Sequence, residues 1–318
     1  MNLTRAVFIV AAAACLLPVV PPWVALVAGI ALALTLGNPF PKQSKNYSKV
    51  LLQVCVVLLG FSMDLNVVLK AGSQGVTFAL VSIASVFLLG WLLQRLLKLS
   101  PVTGLLVSTG TAICGGSAIA AMSTVMDADQ EDVSVAIGTV FILNAIALVV
   151  FPPLGHALGL TQHQFGTWAG IAIHDVASVV GAGKAYGPEA LEIGTAVKLS
   201  RVLYLIPVTL IAAWLANRNK AVPVDAPEGS KPKAAAFPWF ILGFIAASVA
   251  RSYIPAIADA TAWVKIVATA GLSLALYLIG SGITRATLKQ VGVKPLIQGV
   301  ILWLFISVVS FFVVRNLV

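Results

Sequence analysis

The chain has 318 residues; 59% are hydrophobic, only 10% are charged, and the mean hydropathy is +1.01. Soluble domains carry about 25% charged residues, so this composition excludes a soluble enzyme with an ordinary core, a secreted disulfide scaffold and a nucleic-acid-binding module. The formal net charge of +9 fits the Lys and Arg that collect in the cytoplasmic loops of membrane proteins, so no nucleic-acid partner is expected.

At ~20 apolar residues per span, a chain of this kind has room for about ten membrane helices. Apolar runs between charged or Pro/Gly breaks define eleven segments, at roughly 4–20, 22–36, 50–69, 75–97, 103–126, 133–154, 165–183, 190–216, 237–252, 263–283 and 295–314. The expected fold class is an all-α polytopic membrane protein. The first run, after Arg5, could pass for a signal peptide, but no small-residue cleavage site precedes Pro18 and membrane sequence follows at once. A signal-anchor helix is therefore expected. Ala12-Ala13-Ala14-Cys15 only faintly matches a lipoprotein box, because Leu-Leu-Pro follows the cysteine. Cys15, Cys55 and Cys114 all sit in apolar runs, without the spacing of a metal site or a disulfide framework. Asp64, near the end of the third segment, is expected at the interface.

The fifth segment is interrupted by Cys114-Gly115-Gly116-Ser117. Two glycines weaken a helix by roughly 1 kcal/mol each. Each half is then only ~15–18 Å long and reaches the midplane. Ser117 is expected to cap the second half, whose N-terminal N–H groups make an anion site. A continuous helix with a close-packing glycine pair is the other reading. Asp127, Asp129, Glu131 and Asp132 form an acidic run before the sixth segment, read as a solvated turn. Asn144 in the sixth segment is a candidate polar group for the same cavity, or for a bond to a neighbouring helix. His156 and His163 fall in the next loop and are expected to be solvated.

The seventh segment carries His174-Asp175 at mid-membrane. An Asp there costs ~2.5–3.5 kcal/mol on insertion scales and marks a functional site by default. Asp175 also suits the N-cap of a half-helix starting at Val176. In the eighth segment, Lys198 and Arg201 share one helical face. With Asp175 the one carboxylate expected at that depth, a bound anion would relieve the surplus charge. Arg201 offers a planar fork and Lys198 a point charge. The other reading pairs one cation with Asp175 and the other with helix-end carbonyls. The stretch 217–236, rich in Lys, Pro and Ala, is expected to be a cytoplasmic linker within a single transmembrane domain.

Two sets of internal matches follow. Pro22-Trp23-Val24-Ala25-Leu26 matches Pro238-Trp239-Phe240-Ile241-Leu242, and Leu59-Gly60 matches Ile279-Gly280 at an offset of 220 that carries through to Arg95 and Arg315. The string 110–119 aligns with 170–179. Such symmetry marks secondary transporters built from repeats. The second and ninth segments run in opposite directions, as inverted repeats require. The fifth and seventh either span or enter as re-entrant hairpins from opposite faces. Sorted by crossing number, thirteen loop cations fall on the N-terminal side and five on the other. The N-terminus is therefore expected in the cytoplasm and the C-terminus in the periplasm.

The strings Gly110-Thr111-Ala112-Ile113-Cys114-Gly115-Gly116-Ser117-Ala118-Ile119-Ala120-Ala121, Gly170-Ile171-Ala172-Ile173-His174-Asp175-Val176 with Val180-Gly181-Ala182-Gly183, and Val197-Lys198-Leu199-Ser200-Arg201-Val202 resemble those of a bacterial family of hypothetical integral membrane proteins assigned to sulfate export. More distantly, this family is similar to the bile-acid/sodium symporter and cation/proton antiporter superfamily. The resemblance implies inverted repeats, two discontinuous helices near the midplane, and a core moving against a scaffold. Here the two interrupted segments lie between the outer repeats, unlike the one-per-half order of the bile-acid symporters.

The function expected is secondary transport, not an enzymatic reaction. The substrate would be a small anion, plausibly sulfate or a related sulfur oxyanion, crossing the inner membrane by alternating access. The substrate-binding candidates are Cys114, Gly115, Gly116, Ser117, Asn144, His174, Asp175, Lys198 and Arg201. Protons are the expected coupling ion, titrating His174 and Asp175. No cofactor is expected, and a homo-oligomer is compatible with this reading. A cation/proton antiporter centred on Asp175 and a non-transporting membrane subunit are the alternatives.

Overall fold

The computed structural model describes residues 3–17, 19–61, 65, 76–218 and 239–317. Asp64 and all but two residues of the expected linker lie outside them. Fifteen helices make up the described residues: α1 (Leu3–Ala14), α2 (Pro22–Thr35), α3 (Pro41–Gly60), α4 (Val76–Leu96), α5 (Pro101–Ala112), α6 (Gly116–Met126), α7 (Gln130–Ala157), α8 (Gln162–Ala172), α9 (Val176–Tyr186), α10 (Pro188–Val202), α11 (Leu205–Arg218), α12 (Trp239–Tyr253), α13 (Pro255–Gly280), α14 (Arg285–Val291) and α15 (Val293–Leu317). Five described stretches are long and apolar enough to cross a membrane, and shorter apolar helices accompany them. The fold is an all-α polytopic membrane protein.

Proline sets several of the boundaries. It opens α2, α3, α5, α10 and α13, at the position where its missing N–H is not needed. The N-cap of α8 is a full capping box between Thr161 and Gln164, which ties two first-turn donors reciprocally.

Helices α2, α3, α12 and α13 pack mainly on one another, and α4 to α11 with α15 form a second group. Within the first group, a Cβ on Gly60 would collide with the Phe244 carbonyl and Ala247, while one on Gly280 would collide with the Leu26 carbonyl. The glycines are 220 positions apart and the two carbonyl residues 218 apart. Each repeat thus closes its glycine onto the other repeat's helix, so the outer sequence match has a structural counterpart.

The two interrupted segments fold back on themselves. Leu106 and Val107 of α5 share a buried cluster with Ile119 and Met122 of α6. In a straight helix, residues 107 and 122 would be ~22 Å apart. Likewise the rings of Phe165 and Tyr186 stack with centroids 3.8 Å apart, where a straight run would separate them by ~31 Å. Each segment is a re-entrant hairpin, so neither is a continuous helix. Only α7 lies between them, and its 28 residues span ~42 Å. One hairpin therefore enters from each face. Their tips meet near the middle of α7.

Candidate functional site

The first tip is built by glycine. Ile113 has φ −118° and ψ −83°, and Gly115 follows at φ +71°. That left-handed value suits a residue without Cβ. A Cβ there would also stand 3.2 Å from the Cβ of Asp175, so the two tips are in contact. The second tip is built by a side chain: Asp175 caps α9, its Oδ1 accepting the Ser178 N–H at 2.6 Å. This is the cap expected from the sequence.

Asn144, midway along α7, serves the second tip twice. Its Nδ2 donates to Asp175 Oδ2 at 2.5 Å, and its Oδ1 accepts the His174 N–H at 3.1 Å. His174 is 1% exposed, and neither ring nitrogen has a hydrogen-bond partner among the described residues. A polar group so buried and unpaired is unusual in a folded chain.

Lys198 and Arg201 come from α10 and are 0% and 1% exposed. They do share one face, but α10 ends at Val202 rather than running on to 216. Pro207 is the cause: it has no N–H to give, and its ring would clash with the carbonyl of residue 203 in a continued helix. Arg201 therefore sits in a last turn, and the eighth segment is a third interrupted element. Pro207 was the available signal.

Both cations address the C-terminal end of α5. Arg201 Nη2 donates to the Ala112 carbonyl at 2.6 Å and Nη1 to Ser82 Oγ of α4 at 3.0 Å, while Lys198 Nζ reaches the Ile113 carbonyl at 3.4 Å. Cations belong at a helix C-terminus, where the dipole is negative. The bonds recorded for Asp175 go instead to Asn144 and Ser178, so of the other reading only the carbonyl contacts hold. Arg201 is not the free fork foreseen from sequence. One arm of its guanidinium holds the hairpin and a second holds α4, and Nε lacks a partner among the described residues. Lys198 is held loosely by comparison, and its ammonium lies within Coulombic reach of His174, Asp175 and Cys114.

Ser117 differs from expectation. The N-cap of α6 is Gly115, with no side-chain cap, and Ser117 Oγ bonds to the Cys114 carbonyl at 3.3 Å and lies 3.0 Å from Cys114 Sγ. The Ala118 N–H already bonds to the Gly115 carbonyl at 3.1 Å, so Gly116 and Ser117 carry the first-turn N–H groups of α6 that have no backbone partner among the described residues. Ser117 is exposed and Gly116 and Asp175 half-buried, so this side of the junction is open.

Other features lie at the periphery. Asp132 accepts a bond from the Thr103 hydroxyl, tying the acidic run to the base of the first hairpin. His156 lies in the last turn of α7 rather than a loop; it is exposed and stacks on Tyr186 with centroids 4.1 Å apart. Sequence reasoning missed Ser82, Thr111 and Gln298. Thr111 Oγ1 is buried near the first tip without a partner among the described residues. Gln298 of α15 is fully buried and donates to the carbonyls of Gly90 and Gly104, each at 3.1 Å. A lone Gln within an apolar span was its signal.

The sequence profile of the family described as "Conserved hypothetical protein 698" matches residues 3–299. The chain belongs to this family. Its UPF0324 relatives include UPF0324 membrane protein Bd1437 of Bdellovibrio bacteriovorus, 46% identical over 96% of this chain and 92% of the relative. Similar too are UPF0324 membrane proteins from Bacteroides thetaiotaomicron, 46% identical over 91% of this chain and 84% of the relative, and from Geobacter sulfurreducens, 42% identical over 97% and 96%. No solved structure matches. The family and the helix pattern agree on a multi-pass membrane protein.

Proposed function

We propose that this UPF0324 protein is a secondary transporter that moves a small anion, sulfate or a related sulfur oxyanion, across the bacterial inner membrane by alternating access. The observation that carries this reading is Lys198: fully buried, held by one long bond to a carbonyl, and flanked by a histidine with two unpaired ring nitrogens. A buried ammonium with spare donors needs a counter-charge. An entering anion would take Lys198 and the first-turn N–H groups of α6, while Arg201 keeps the hairpin in place. His174 and Asp175 are the groups through which protons would couple. The loop-charge bias supports a cytoplasmic N-terminus and a periplasmic C-terminus. For a cation/proton antiporter, Asp175 would have to hold the ion, and both of its oxygens already accept hydrogen bonds.

The test is counterflow in proteoliposomes over sulfate, sulfite, sulfonates and carboxylates, with and without a pH gradient. Lys198→Gln is expected to abolish anion flux and anion-dependent thermal protection. Unchanged protection in folded Lys198→Gln, or sodium rather than anion flux in the wild type, would overturn the proposal.

A further inference from the structure

The charges at the junction can be counted. Helices α5 and α6 contain no charged residue. On α7, Glu131 and Asp132 lie at one end and His156 at the other, with Asn144 between. His163 of α8 and Lys184 of α9 lie at the base of the second hairpin, away from its tip. On α10, Glu192 is six residues before Lys198, ~9 Å along the axis, and Glu189 is farther still. Among the described residues, Lys198, Arg201 and Asp175 remain. With the imidazole of His174 neutral, they sum to one positive charge. The helix ends do not alter this balance, because each tip brings a C-terminus and an N-terminus together and their partial charges oppose.

We infer that the junction is matched to a monovalent oxyanion with a sulfonate or hydrogensulfite head group, and that Asp175 sets this valence. The inference rests on the anion reading above. One negative charge brings the buried set to neutrality, whereas a dianion leaves a charge unbalanced where desolvation penalises it most. The surroundings of the α6 N-terminus are largely apolar. A Cβ on Gly116 would stand 3.1 Å from the Phe141 ring, and one on Gly115 would stand 3.5 Å from Val140. The glycines thus lie close against apolar side chains, next to the N–H groups of α6. The partly open flank at Ser117 and Asp175 supplies the approach.

The experiment uses the purified full chain in detergent at neutral pH and constant ionic strength, with methanesulfonate and sulfate as competing probes in thermal-stabilisation titrations. In the wild type, methanesulfonate is expected to reach half-saturation at a concentration at least about tenfold below sulfate, the lower end of the coupling between close charges. Asp175→Asn raises the balance to two and is expected to reverse the order. Asn keeps a capping oxygen for α9. If that variant does not fold, the wild-type order decides alone. Sulfate binding the wild type as tightly as methanesulfonate overturns the inference, as does an unchanged order in folded Asp175→Asn. If neither anion stabilises the wild type, the anion reading itself falls, and this inference with it.

Discussion

The two hairpins are alike in plan and differ in what holds them. The second is braced from base to tip. Its α8 starts in a capping box, Phe165 stacks on Tyr186, and the Tyr186 hydroxyl donates to the Leu160 carbonyl at 2.5 Å. Trp168 donates to the Ser307 carbonyl of α15 at 2.9 Å. Its glycines lie tight against α10: a Cβ on Gly166 would stand 2.8 Å from the Ala190 carbonyl, and one on Gly170 would stand 2.9 Å from that of Gly194. At its tip Asp175 and Asn144 complete the bonding. The first hairpin has a long Ser100 cap on α5 at 3.5 Å beside the Thr103–Asp132 and Gln298–Gly104 bonds at its base, and its α6 keeps an exposed face at Ser117, Ala120 and Thr124. Its tip is held by cations from α10. A ligand that competes for Lys198 therefore acts on the first hairpin and leaves the second, which has its own carboxylate, in place.

Three changes would break or sharpen this contrast. The largest effect is expected from Arg201→Ala, which removes two charged hydrogen bonds and leaves the Ala112 carbonyl and Ser82 buried; the loss is about 3 kcal/mol or more. Hydrogen exchange should rise across 101–126 while 162–186 stays protected, and equal loosening of both would refute the contrast. Next comes Gly115→Ala, where a side chain at φ +71° beside Asp175 adds strain of about 1–3 kcal/mol. Thermal unfolding should shift down, and anion protection should fall with it because the tips no longer meet correctly. Smallest is Tyr186→Phe. It deletes the bond to Leu160 but keeps the ring stack, with a loss of about 1 kcal/mol in thermal unfolding and no change in anion protection. A loss of anion protection in that variant would show that the base of the second hairpin takes part in binding.

Much of the site was legible because a bilayer punishes the wrong residue wherever it stands. Asp175, Lys198 and Arg201 stood out as charges in apolar runs, and the Gly115-Gly116 pair as a weak point at which a helix was expected to break. Asp175 was readable even as a cap, since capping is decided within three residues. The role of Ser117 was misread because its hydroxyl had two local choices, the α6 backbone or Cys114, and only the geometry of the turn selects between them. Arg201 was read as a free fork because its partners, Ala112 and Ser82, are distant in sequence. A carbonyl that accepts an Arg leaves no mark in the amino-acid code.

The sequence by itself determined the membrane class, the apolar segments, where helices break and which charges are buried, since all of these follow from the solvent and from neighbours a few residues away. Only the tertiary structure decided that the broken segments fold back rather than cross, that their tips meet beside Asn144, and that the two cations serve one helix end unequally. Those outcomes depend on contacts between residues up to 119 positions apart in the site, where apolar periodicity is the same for a hairpin and for a span.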